Sequence, residues 1–203
     1  MRGLLVDFGG VLTTNVFESF RAFSEREGLE PDAVKKLFKE RGEGLDLLRQ
    51  LERGEISGED FSPRFGELLG VQNTDGLTHR LFAEVGPDEA MVEAVKRAKH
   101  AGIPTGLISN SWGDRDQYDR GSFPEMFDAV VISGEVGMHK PEPEIFRLGA
   151  QRVGLPPDEC VFVDDLKENC EGAEAVGMTA ILHRGSEGTL RELERLLGVT
   201  LGP

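Results

Sequence analysis

The sequence predicts an α/β protein: a doubly wound parallel sheet interrupted after its first strand by a block of helices. Three observations carry this. Short β-rich runs recur at Leu4–Val6, Thr105–Ser109, Ala129–Ser133, Val161–Val163 and Thr179–Leu182. Several are apolar on both faces, as parallel strands covered from both sides are. From residue 86 onward helical segments alternate with these runs, whereas residues 15–85 contain helical spacing and no strand-like run. Strand, helix, strand in that order argues a parallel sheet wound in both directions.

Taken in order, the first run, "LLVDFGGVLT", ends on Asp7 and two glycines. The block that follows repeats apolar residues at helical spacing: Phe17, Phe20 and Phe23; Val34, Leu37 and Phe38; Leu45, Leu48 and Leu51; Phe61, Phe65, Leu68 and Leu69. Pro31, Gly42, Gly54 and Gly70 punctuate it. Four or five helices are expected, with the phenylalanines as their core. "PDEAMVEAVKRAKHAG" then places Met91, Val92, Val95 and Ala98 on one face and stops at Gly102. "PEIFRLGAQRVG" and "NCEGAEAVGM" supply the later helices. The organisation expected is a core of residues 1–14 and 86–203 with a helical cap of residues 15–85.

Composition removes several classes of function. Lys plus Arg number 23 against 37 Asp plus Glu, a formal charge of −14. An acidic surface of this strength repels phosphate backbones, so no nucleic-acid partner is expected. Cys160 and Cys170 lack any CxxC spacing, and the four histidines form no HxxxH or HExxH pair, which argues against a disulfide framework and a zinc site. No apolar run approaches the roughly 20 residues needed to cross a bilayer. The reading is a soluble, cytoplasmic protein that binds a small molecule.

In an open parallel sheet, ligands bind beyond the carboxyl ends of the strands. The residues there are Asp7 after the first strand, Ser109 and Asn110 after the second, Lys140 across a loop from the third, and Asp164 and Asp165 after the fourth. Singly, each has an ordinary explanation in turns and solvated surface. Together they gather three carboxylates and one ammonium on one rim. Like carboxylates at close range raise one another's pKa or demand a cation, and hard oxygen ligands suit Mg²⁺. Asn169, four residues past Asp165, is placed to steady Asp165 or a metal-bound water.

These motifs, Asp7-x-Gly9, Ser109-Asn110, Lys140-Pro141 and Asp164-Asp165-x-x-x-Asn169, resemble the four motifs of the haloacid dehalogenase (HAD) superfamily. That family has a Rossmann-like core and, here, an α-helical cap. "DFGGVL" and "GEVGMHKPEPEIF" are similar to its phosphatase-type subgroup with a small helical cap, akin to the N-terminal domain of soluble epoxide hydrolases. The resemblance implies that Asp7 attacks phosphorus to form an aspartyl-phosphate. It implies that Ser109 and Asn110 hydrogen-bond the phosphoryl oxygens and that Lys140 neutralises them. It also implies Mg²⁺ on Asp7, the Gly9 carbonyl and Asp164, with Asp165 acting through water.

One position departs from the family pattern. Where most phosphatases of this superfamily carry a second Asp, this chain has Gly9. Glycine can still offer its carbonyl to a metal, but it cannot protonate a leaving alcohol or activate water. A general acid/base is typically worth about 10²–10⁴ in rate. Thr13, Thr14 or a water are the substitutes within local reach, and a preference for good leaving groups is expected. Three functions stay open at this level: a metal-dependent phosphohydrolase, a haloacid dehalogenase, whose halide leaves without a proton, and a binding or regulatory protein on the same scaffold. For the substrate pocket the candidates are Arg41, Glu43 and Asp46 in the cap and Trp112 after the second motif. The run Asp114–Arg120 reads as a solvated loop.

Overall fold

The structure, a computed structural model, describes residues 2–40, 42–113 and 118–202. Five parallel strands form one sheet: β1 (Gly3–Val6), β2 (Thr105–Ser109), β3 (Ala129–Ile132), β4 (Cys160–Asp164) and β5 (Thr179–Leu182), in the order β3-β2-β1-β4-β5. All five runs read from the sequence form strands, within a residue or two at the ends. Successive residues of a strand face opposite sides. Accordingly Leu4 and Val6 join one apolar cluster while Leu5 joins the other.

The first cluster is completed by α6 (Glu89–His100), α7 (Phe123–Met126) and α11 (Ser186–Leu197), the second by α9 (Pro143–Arg152) and α10 (Lys167–Ala175). Both start and stop signals of α6 operate. Asp88 accepts a hydrogen bond from the Met91 N–H (3.0 Å), and the chain leaves the helix at Gly102 with φ +81°. Strand order reverses about β1, since the chain proceeds outward to β2 and β3 and then returns to β4 on the other side of β1. The carboxyl ends of β1 and β4 therefore border the switch point where such sheets bind ligands.

Among the described residues, five helices lie between β1 and α6: α1 (Val16–Arg26), α2 (Ala33–Lys39), α3 (Glu43–Glu52), α4 (Gly58–Leu69) and α5 (Leu77–Leu81). No strand occurs among the described residues of this span. Its core contains Phe20, Phe23, Phe38, Phe61 and Phe65, with Phe17 and Phe82 packed at the edge. The two chain crossings into this cap pair with each other: Thr14 N–H donates to the Gly86 carbonyl (2.8 Å) and Asp88 N–H to the Leu12 carbonyl (2.9 Å). The Thr14 hydroxyl accepts from the Gly86 N–H (3.1 Å). The hydroxyl proposed from sequence as a stand-in acid thus belongs to the hinge.

The far end of the cap rests on the sheet's rim. The end of α3 meets α8 (Ser133–Val136), where the Ser133 hydroxyl donates to the Glu52 carbonyl. Arg53 pairs across the same seam with Glu142. Behind the rim, α10 comes so close to the segment after Lys140 that a Cβ at Gly172 would lie 2.6 Å from the Pro141 carbonyl oxygen. Backbone cannot yield as a side-chain tip can, so Gly172→Ala is expected to cost about 1–3 kcal/mol. It should also shift the Lys140 segment. Chemical denaturation of the variant beside the parent checks the stability loss.

Candidate active site

Each strand end delivers its residue to one point. Asp7 follows β1, where its N–H is held by the Val163 carbonyl (2.9 Å). Lys140 enters from the loop after α8, and its ammonium lies 2.6 Å from Asp7 Oδ1 and 2.7 Å from Asp164 Oδ2. Exposure is 8% for Asp7, 3% for Lys140 and 0% for Asp164. A lysine this deep is tolerable because it is paired twice.

Asp164 is tied down further. Its Oδ1 accepts from the Leu166 N–H (2.8 Å), and the Asn169 amide reaches both carboxylate oxygens (3.0 and 3.1 Å). Asn169 therefore steadies Asp164 rather than Asp165, because it points back from the first turn of α10 toward the end of β4. Asp7, Asp164 and Asp165 each offer one oxygen, all within 4.8 Å of one another. Gly10, at φ +74°, makes room for this group, since a Cβ there would stand 2.5 Å from Asp165 Oδ2. Its N–H is held by the Thr13 hydroxyl (3.0 Å), so Thr13 also has a structural task.

The charges leave clear marks. Burial pushes the Asp7 carboxyl up to about 8, against the pull of Lys140 and with the repulsion of Asp164 and Asp165. Asp165 rises to about 6 through burial and the neighbouring Asp164. Burial alone would lower the Lys140 ammonium, but Asp164 and Asp7 outweigh it and hold it above its usual range. Three crowded hard oxygen donors with a surplus of negative charge suit a divalent cation such as Mg²⁺.

Ser109 is buried at the tip of β2, and its hydroxyl shares a hydrogen bond with the Tyr118 hydroxyl (3.0 Å). Asn110 is engaged with protein. Its amide oxygen accepts from the Lys140 N–H (2.8 Å), and its amide nitrogen donates to the Lys140 carbonyl (3.1 Å) and to Glu52 Oε1 (3.2 Å). The side chain expected on a phosphoryl oxygen instead fixes the lysine-bearing loop.

Two other expectations change. Trp112, expected as a cleft wall, packs edge-on against Phe20, Phe38 and Phe82 of the cap, the nearest apolar surface for an indole leaving β2. Within the supposed solvated loop, Tyr118 is buried against Phe8 and Ser109; positions 114–117 lie outside the described residues, as does Arg41. Gly9 is not in the left-handed region, and a Cβ there would meet only Val16 Cγ2, at 3.2 Å. Glu43 and Asp46 are exposed on α3, and Asp46 lines a cleft of about 570 Å³ with Arg49, Arg53 and Glu142. A second cleft, about 310 Å³, lies beyond Gly54 and reaches Tyr118. Neither is lined by Asp7 or Lys140, so the clefts mark the seam and the charged cluster lies beneath it.

Tyr118 and Glu52 were missed from sequence. The first had a faint signal, as the chain's single tyrosine in a polar run. The second had none, being one acid among many at a helix end.

A sequence model of haloacid dehalogenase-like hydrolases matches residues 1–177. The chain belongs to that family. Among the HAD relatives, pig bifunctional epoxide hydrolase 2 (Sus scrofa) is 28% identical over 99% of this chain, which spans only 40% of that protein. The sesquiterpene phosphatase astK of Aspergillus oryzae is 29% identical over 73% of this chain and 78% of its own length. Among solved HAD structures, a HAD-like family hydrolase from Porphyromonas gingivalis superposes with a TM-score of 0.76 at 22% identity, covering 98% of this chain and 99% of that one. A HAD family enzyme from Bacteroides thetaiotaomicron, solved with magnesium and inorganic phosphate, gives 0.66 at 22% identity, covering 89% and 93%. These superpositions establish the fold, and the family match makes this protein a hydrolase. No helix among the described residues is long and apolar enough to cross a membrane.

Removing the lysine tests the electrostatics. Lys140→Met leaves two buried carboxylates facing each other and is expected to destabilise the fold by about 3–5 kcal/mol at neutral pH. Asp7 has a folded pKa raised above its unfolded value, so it takes up a proton on folding, and stability falls as pH rises through about 8. A protonated Asp7 needs no counter-charge, so the variant's deficit should shrink on acidification. Urea melts of both proteins at about pH 5 and about pH 8 check the size and the sign.

Proposed function

We propose that this hydrolase is a Mg²⁺-dependent phosphomonoesterase acting on a small phosphorylated molecule, with Asp7 as nucleophile. The observation that carries the reading is the single buried ammonium of Lys140 between Asp7 and Asp164, with Asp165 completing an oxygen cluster. Attack by Asp7 on phosphorus moves negative charge onto oxygens that Lys140 and the Ser109 hydroxyl are placed to receive. Lys140 also draws the Asp7 carboxyl downward against burial and the neighbouring aspartates, which favours the ionised, nucleophilic form. Asp7, the Gly9 carbonyl, Asp164 and Asp165 would hold the Mg²⁺, which supplies charge neutralisation for the phosphoryl group. Asn110 acts one step back, by locking the Lys140 loop.

Relatives named as phosphatases support this reading. Besides the sesquiterpene phosphatase they include the glyceraldehyde 3-phosphate phosphatase of Methanopyrus kandleri, 31% identical over 51% of this chain and 46% of its own length. Gly9 favours a second reading, a dehalogenase, because halide departs without a proton. That reading leaves the Asp164–Asp165 pair without a task.

Phosphate and halide release from a panel of phosphate esters and haloacids, with Mg²⁺ present or chelated, separates the two. Phosphate release that needs Mg²⁺ is expected. Asp7→Asn should abolish it, since an amide is a poor nucleophile of nearly the same shape, and Asp164→Ala should weaken Mg²⁺ binding. Halide release independent of metal would overturn the reading.

A further inference from the structure

Gly9 leaves the leaving-group oxygen without a proton source in the core. We infer that Glu52, carried by the cap at the end of α3, is the general acid/base of this enzyme. This rests on the phosphomonoesterase reading above and supplies the step that reading lacks.

Position is the first argument. In-line displacement puts the leaving oxygen opposite the attacking oxygen. Asp7 attacks from the strand ends, so the leaving group faces away from the sheet, toward the cap. The end of α3 is the part of the cap bonded to that rim: the Ser133 hydroxyl holds the Glu52 main chain and Asn110 holds its side chain by Oε1 at 3.2 Å. Asn110 is in turn bonded to the main chain of Lys140, whose ammonium touches Asp7. Two hydrogen-bonded residues thus separate Glu52 from the nucleophile. Its second carboxylate oxygen has no hydrogen-bond or ionic partner among the described residues.

Elimination is the second argument. Asp7 is the nucleophile. Asp164 is saturated by Lys140, Asn169 and the Leu166 N–H, and Asp165 is itself part of the carboxylate cluster with Asp7 and Asp164. The Thr13 and Thr14 hydroxyls are engaged in the turn after β1 and in the hinge. Burial pushes the Tyr118 phenol up to about 12, opposed by its bond to Ser109, which leaves it a reluctant donor.

The titration of Glu52 agrees with the geometry. Burial raises its carboxyl to about 7, and the Asn110 hydrogen bond with the charges of Lys140, Arg49 and Arg53 moderates the rise. A group poised near the working pH can both give and take a proton.

The chemistry balances as follows. Asp7 Oδ forms a bond to phosphorus and the bond from phosphorus to the ester oxygen breaks. Its electron pair stays on that oxygen, which takes the proton of the Glu52 carboxylic acid and departs as an alcohol. The Glu52 carboxylate then takes a proton from water as that water's oxygen attacks phosphorus. The bond to Asp7 breaks, restoring the Asp7 carboxylate, the Glu52 acid and free inorganic phosphate.

Glu52→Gln keeps an acceptor for Asn110 and removes the proton. The test compares kcat/KM for phosphate monoesters from dinitrophenyl to alkyl, with thermal melts confirming that the variant is folded. For dinitrophenyl phosphate, kcat/KM should be nearly unchanged, with a burst of phenolate before slow turnover because water attack has lost its base. For alkyl phosphates it should fall by about 10²–10⁴. The parent's decline in alkyl kcat/KM with rising pH, centred near neutrality, should vanish. An equal loss for every ester, or an unchanged alkyl rate, would overturn the assignment. A parent protein that hydrolyses no ester in the series would instead overturn the phosphomonoesterase reading and this assignment with it.

Discussion

The ion pair that Lys140 makes with Asp7 and Asp164 is the constraint around which this molecule is arranged. An ammonium with almost no solvent exposure survives only if its charge is met at short range, and carboxylates from two adjacent strand ends meet it. That requirement fixes the neighbours. The Lys140 loop must be held, and Asn110 does so through both amide groups. Asp164 must not rotate, and Asn169 and the Leu166 N–H prevent it. The helix behind the loop must approach closely, and Gly172 permits it. Charge placed in the centre of the sheet's rim thus dictates packing well outside it.

The same cluster makes the site reactive. Three carboxylates and one ammonium leave an excess of negative charge in a buried space, visible in the raised pKa values of Asp7 and Asp165. Such an arrangement is uncomfortable alone, and a divalent cation would complement its charge. The cap closes this space from above. Its own core is a set of stacked and edge-on phenylalanines, and Trp112 joins them from the core side, coupling the second motif to the cap by apolar contact. The hinge is a pair of backbone hydrogen bonds beside Thr14, so the cap is tethered by few groups at one end and seated by α3 at the other.

Much of this was legible in the sequence because it follows from local pattern. Strands buried on both faces read as apolar runs, and all five were found. A residue just past a strand end in a parallel sheet has one place to go, so Asp7, Ser109, Lys140, Asp164 and Asp165 could be brought together before any coordinate was known. What stayed hidden depends on how side chains turn and on contacts far apart in the chain. Asn169 can point at either of two adjacent aspartates, and only the start of α10 decides. Asn110 bonds across 30 and 58 residues, to Lys140 and Glu52. Trp112 follows the second motif in sequence yet packs against the cap in space. Tyr118 looked solvated because its neighbours are charged, whereas its ring found Phe8 and its hydroxyl found Ser109.

The proposed chemistry depends on Asp7 as the residue whose carboxylate accepts the phosphoryl group. A reaction quenched with acid during turnover of a fast aryl phosphate, followed by peptide mass analysis, reads this directly. One phosphoryl group is expected on the peptide containing Asp7, and none in Asp7→Asn. Steady turnover with that peptide unmodified, or with the phosphoryl group on any other residue, would contradict it.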